Sequence, residues 1–216
     1  MAITEQQFYD MLDVKEHMNF TNRIKELVFD KDGRKEFYTK ILAIHNDMSV
    51  DFFRDYFMTH SAVSAKGQHY TPDALGKLTA FLVGGSGGAD ITGAGTGTLI
   101  IQKWQEDRIN ANFWEYSPRS YWYQALELSD EAISFLIHAF AIRGMNGVII
   151  HGDALEMAAK QVYFIQNSAD NPLGFSEVNV IPHSKDAMGF LGIKKWTEDP
   201  IEHIESEFPD WITLTE

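Results

Sequence analysis

Apolar positions recur at three- and four-residue intervals early in the chain: Phe8, Met11 and Leu12, then Ile24, Leu27 and Val28, then Phe37, Ile41 and Ile44. Such spacing puts each group on one face of a helix. Three or four short helices are therefore expected over residues 1–62, broken at Asp32-Gly33, with Phe52, Phe53, Tyr56 and Phe57 as a packed aromatic seam. Further along, Ala125-Leu126-Glu127-Leu128 reads as a short strand. Ser129 with Asp130 and Glu131 supplies an N-cap and an acidic first turn, Ile133, Leu136, Ile137 and Phe140 form one helical face, and Gly144 stops the helix. Val148-Ile149-Ile150 reads as a buried strand leaving through Gly152-Asp153-Ala154-Leu155, and Gln161 to Ile165 as a later one. Strand, helix, strand in this order implies parallel pairing. The expected fold is α/β: a helical N-terminal domain over 1–62, then a small, mainly parallel sheet over 63–216.

Composition narrows the setting. With 216 residues, 44% of them hydrophobic, the chain can bury one substantial core. A formal charge of -13 argues against broad attachment to polyanions, so any contact with DNA must be local or assisted by a partner. No run approaches the roughly 18 apolar residues of a membrane span, and Met1 to Gln7 lack a signal pattern, which makes the cytoplasm the expected home. The absence of cysteine removes disulfides, thiolate catalysis and sulfur-ligated metals, and no metal site is expected. A homo-oligomer is left open.

The candidate chemistry centres on Asp90-Ile91-Thr92-Gly93-Ala94-Gly95-Thr96-Gly97. Glycines at alternate positions allow a sharp turn and close approach of a ligand, and the following Leu99-Ile100-Ile101 can open a helix whose N–H groups point at that ligand. A dinucleotide fingerprint would need glycine at 98, where the chain has Thr98, and no phosphate-cradling Gly-Lys motif is present. A glycine-rich surface loop, continuing Gly84 to Gly88, is the alternative. Upstream, Gly67-Gln68-His69-Tyr70-Thr71-Pro72 precedes a helix expected at about 72–83 with Leu75, Leu78, Phe81 and Leu82 inward. Between 102 and 124 stand Trp104, Trp114, Tyr116, Tyr121, Trp122 and Tyr123. They read as rings packed on one another or as a base-stacking surface, with only Lys103, Arg108 and Arg119 to meet phosphates.

Taken in order, the Gly-Gln-His-Tyr-Thr-Pro string, the glycine motif, Leu126-Glu127-Leu128 and Gly152-Asp153-Ala154-Leu155 resemble S-adenosylmethionine-dependent adenine-amino (N6) DNA methyltransferases, most of all the modification subunits of type I restriction systems. The resemblance covers residues 67 to 155. It implies a Rossmann-like methyltransferase sheet and S-adenosylmethionine as cofactor. Gln68, His69, Tyr70 and Thr71 would then close over its methionine end. Asp90 would face its ammonium and brace the turn formed by Thr92, Gly93, Gly95 and Gly97. Glu127 would accept hydrogen bonds from the ribose hydroxyls, with Leu128 beside it, and Asp153 from the adenine amino group, with Ala154 offering a backbone N–H.

The resemblance departs after the fourth strand, where such enzymes carry Asn-Pro-Pro-aromatic to hold the target amine and stack on the flipped base. Here Asn171 and Pro172 are followed by a ring only at Phe175, and Asn167 has no proline after it. Asn171, Pro172 and Phe175 are the catalytic candidates. Only 63 residues (216 − 153) follow Asp153, so the later strands are expected to be abbreviated or missing. Two readings stand: a compact DNA adenine methyltransferase of restriction-modification type, or a noncatalytic S-adenosylmethionine-binding protein that modulates a restriction or methylation system, with restriction-modification subunits as partners. A different nucleotide-dependent enzyme on the same sheet is a third.

Overall fold

A computed structural model describes residues 2–61, 74–75, 78–79, 88–111 and 115–209. Four helices come first: α1 (Glu5–Leu12), α2 (His17–Leu27), α3 (Lys31–Ile44) and α4 (Arg54–Ser61). Thr4 and Gln7 close a capping box on α1, and Asp30 caps α3 by accepting from the Gly33 N–H. Gly33 therefore lies in the first turn of α3, and the break expected at Asp32-Gly33 falls earlier, just before Asp30.

From Gly88 onward the chain carries β1 (Gly88–Thr92), α5 (Thr98–Asn110), β2 (Trp122–Glu127), α6 (Ala132–Ile142), β3 (Gly147–Asp153), β4 (Ala158–Gln166), β5 (Glu177–Val180), α7 (Lys185–Leu191) and β6 (Lys195–Trp196). The result is an α/β fold on one open, mixed sheet of six strands in the order β1-β2-β3-β4-β5, with β6 added beside β4. β1, β2 and β3 run parallel, while β4 returns antiparallel beside β3. Gly152 is needed at the irregular end of that pair, since a Cβ there would come within 2.1 Å of the Ala158 carbonyl.

Sequence reading gave α6 one apolar face, yet all eleven of its residues are buried. A helix apolar all round has to be covered on both sides. The sheet covers one side of α6 and the N-terminal helices the other: Phe135 meets Phe20 and Phe53, and the fully buried His138 bridges Tyr38 Oη at 2.7 Å and the Ile24 carbonyl at 2.8 Å. The helices and the inner sheet face therefore share one apolar cluster. The opposite face packs Val148, Ile150, Val162 and Phe164 against Ile181, Ala187 and Ile193. Among the described residues no helix is long and apolar enough to cross a membrane.

Candidate functional site

The three parallel strands end together, and open α/β sheets bind ligands in the crevice outside such ends. Along β2, alternation sends Tyr123 and Ala125 into the inner cluster and turns Gln124 and Leu126 to the other face. On that face Asp90, Thr92, Gln124, Leu126, Asp153 and Ala154 border a cleft of about 270 Å³, with Met157 and Leu191 to Ile193 on its far wall. The Asp90 carboxylate accepts from Gln124 Nε2 at 3.2 Å. Asp153 Oδ1 accepts from the Leu155 and Glu156 N–H groups at 2.8 and 3.1 Å, which shapes the exit turn of β3. Neither carboxylate has an ion-pair partner among the described residues.

The glycine turn follows Thr92, which borders this cleft. Gly93, Gly95 and Gly97 all take left-handed backbone angles, with φ of 70°, 57° and 106°. The Gly93 and Ala94 N–H groups donate to the Leu126 carbonyl at 2.8 and 3.1 Å, fastening the turn to the end of β2. Glu127 occupies the other face of the sheet, where Oε2 accepts from the Gly95 N–H at 2.7 Å and Oε1 from the Ser129 N–H at 2.8 Å. Bracing of the turn, expected of Asp90, is thus performed by Glu127. Asp90 sits at the third of five positions in β1, and Leu128 is exposed just past β2.

A second carboxylate reaches the turn from a direction that sequence reading missed. Asp51, buried in the loop before α4, accepts at Oδ2 from Thr96 Oγ1 (2.7 Å) and Thr98 Oγ1 (2.8 Å), and at Oδ1 from the Phe53 N–H (3.1 Å). Burial pushes its carboxyl above the usual range, against the pull of the two hydroxyls. Thr96 and Thr98 lie 45 and 47 positions away, and no local pattern announces such a contact.

Several expected residues fall elsewhere. Gln68, His69, Tyr70 and Thr71 lie outside the described residues, as do Trp114, Phe81 and Leu82. Leu75 and Leu78, expected inward, are about half exposed, at 51% and 52%. The catalytic candidates are at the wrong end of the sheet. Because β4 runs antiparallel, pairing Ala158 with Asp153 and Ile165 with Gly147, the chain after Gln166 emerges where the parallel strands begin. The seven residues of β3 put about 20 Å between that end and the cleft. There Asn171 forms a turn, accepting at Oδ1 from the Leu173 N–H at 3.0 Å, Pro172 is exposed, and the Phe175 ring packs edge-on against Tyr38 at 5.1 Å. Asn167 is buried, its Nδ2 donating to the Gly144 and Asn171 carbonyls. None of these residues reaches the cleft.

The aromatic stretch is mostly core: Trp104 and Tyr123 are buried, and Tyr116 stacks on Tyr121 at 5.2 Å. Its cations are engaged, Lys103 with Asp107, Arg119 with Asp170 at 2.7 Å, and Arg108 over the Trp104 ring at 4.5 Å. Among the described residues no group of side chains could hold a metal ion. Comparison with family models, curated proteins and solved structures gave no match.

Proposed function

We propose that the chain binds S-adenosylmethionine in the cleft at the ends of β1, β2 and β3 without itself transferring the methyl group to DNA, and so acts as a noncatalytic sensor or modulator of a restriction or methylation system. One observation carries the reading: Asp90, Thr92 at the entry to the glycine turn, and Asp153 with Ala154, read from separate stretches of sequence, border one cleft at the ends of three adjacent parallel strands.

Charge supports a nucleoside over a nucleotide. A glycine turn leading into a helix ordinarily favours an anion through its free N–H groups and the helix dipole. Here Glu127 takes the Gly95 N–H and Asp51 sits at the start of α5, while Asp90 and Asp153 line the cleft below. A phosphate in the cleft would meet the Asp90 and Asp153 carboxylates, whereas an ammonium or sulfonium would meet complementary charge. The position of Asn171, Pro172 and Phe175 about 20 Å away weighs against methyl transfer by this chain, since an amine must be aligned in contact with the methyl group. An adenine methyltransferase reading then needs the amine-holding segment from a partner subunit.

Calorimetric titration with S-adenosylmethionine, ATP and NAD, followed by incubation with labelled donor and DNA, tests the proposal. Saturable binding of S-adenosylmethionine alone, with no label on adenine, is the expected result. Tighter binding of ATP or NAD, or labelled adenine, would overturn it.

A further inference from the structure

We infer that Asp51 is a positioning residue for the glycine turn, so that the N-terminal helical unit sets how tightly the cleft holds its ligand. The inference about ligand affinity rests on the binding proposed above; the inference about the turn does not.

Asp51 belongs to the segment joining α3 to α4, and that segment is itself clamped. Arg143, at the end of α6, donates through Nε to the Met48 carbonyl at 2.8 Å and through Nη2 to the Val50 carbonyl at 2.5 Å, while Gln102 Nε2 donates to the Ser49 carbonyl at 2.7 Å. The Asp51 carboxylate is thus presented by a fixed backbone, only 4% exposed. Its two hydroxyl partners flank Gly97, which stands at φ 106° as the residue preceding α5. Thr96 and Thr98 are themselves buried. Tying both to one oxygen restrains the backbone on either side of Gly97, and with it the turn that runs back through Gly93 to Thr92 at the edge of the cleft.

Charge explains why an acid does this. Hydrogen bonds to a buried carboxylate are stronger than those between neutral groups, and a negative charge is favoured at the start of a helix. Phe52 and Phe53, directly after Asp51, lie in the apolar cluster, so the segment cannot shift without exposing them. Movement or partner binding at the N-terminal helices is therefore transmitted to the turn through Asp51, although the helices border no part of the cleft.

The test compares four full-length proteins: wild type, Asp51→Asn, the pair Thr96→Val with Thr98→Val, and the pair Thr96→Ser with Thr98→Ser. Amide exchange at residues 93–98 is measured without ligand, and the dissociation constant for S-adenosylmethionine by calorimetry. The valine pair should exchange faster and bind more weakly, each by at least about tenfold, while the serine pair, which keeps both hydroxyls, stays close to wild type. Should the valine pair fail to fold, Asp51→Asn carries the same comparison, because it keeps the side-chain shape and removes the charge. Unchanged exchange in the valine pair and in Asp51→Asn would overturn the inference, as would a serine pair as impaired as the valine pair. Wild-type protein that binds no S-adenosylmethionine would end the proposed function and leave the exchange rates to decide the role of Asp51.

Discussion

Gly93 and Gly97 share a left-handed backbone but differ in their surroundings, and that difference predicts two separable defects. A Cβ at Gly97 would lie 3.1 Å from Leu136 Cδ1 and 3.5 Å from Ala139 Cβ, where α5 crosses α6. Gly97→Ala therefore incurs left-handed strain of about 1–2 kcal/mol and overpacking of about 1–3 kcal/mol. The total, roughly 2–5 kcal/mol, is a large share of the roughly 5–15 kcal/mol that holds a domain folded. A Cβ at Gly93, φ 70°, would meet nothing within 4 Å among the described residues. Gly93→Ala thus incurs only the strain, about 1–2 kcal/mol, and its methyl group projects into space available to a ligand. Urea unfolding followed by tryptophan fluorescence gives the stabilities, and calorimetry gives the affinities. Gly97→Ala should be the less stable protein. Gly93→Ala should lose more affinity than its loss of stability accounts for. Equal destabilisation by the two changes would refute the packing argument, and unchanged affinity in Gly93→Ala would refute the placement of the ligand against the turn.

Other outcomes follow from the same structure. Burial holds His138 down at about 3, so the neutral imidazole is favoured on folding. Its contribution is complete above the unfolded value near 6.5 and is lost as pH falls toward 3, at up to about 1.4 kcal/mol per pH unit; urea midpoints between pH 6 and 4 should fall more steeply for wild type than for His138→Gln, and parallel slopes would sink the claim. Glu205→Ala leaves the buried Arg34 guanidinium, 2.5 Å from its partner, without its charge and should cost about 3–5 kcal/mol in the same unfolding assay. Burial raises the Glu205 carboxyl, but Arg34 outweighs it and holds the carboxyl below the usual range. The pair's contribution is therefore present above that range and lost on further acidification. Asn171→Ala should leave S-adenosylmethionine affinity within about 0.5 kcal/mol of wild type, and a tenfold loss would return that residue to the site.

Patterns carried by neighbouring residues were legible in the sequence. Gly144 marked a helix stop, Val148 to Ile150 a buried strand, and the order of β2, α6 and β3 their parallel pairing, because such signals act over a few residues; the start of α6 falls later than Ser129 suggested, with Glu131 preceding Ala132 and no acid in the first turn. What escaped depends on distant partners. The direction of β4 follows from a tight return after Asp153, with Met157 in a left-handed conformation at φ 52°. Nothing in Gln161 to Ile165 distinguishes a parallel from an antiparallel strand, yet that single choice moves Asn171 and Phe175 to the far end of the sheet. Asp51 was hidden for the same reason, lying in a segment whose visible signal was its aromatic neighbours. In α6 the mean apolarity was readable, but its burial on every side needed the N-terminal helices to be placed against it. The glycine turn was readable as a turn, but the carboxylates that hold it, Glu127 and Asp51, are brought to it only by the fold.

Titration of S-adenosylmethionine into the full-length protein and into Asp90→Ala tests the central claim most directly. Wild type should bind at one site per chain, and Asp90→Ala should weaken binding by about 1.5–3 kcal/mol, the scale of a lost hydrogen bond to a charged group, while unfolding at the same urea concentration. Absence of binding by wild type at millimolar ligand, or equal affinity in the two proteins, would contradict the account.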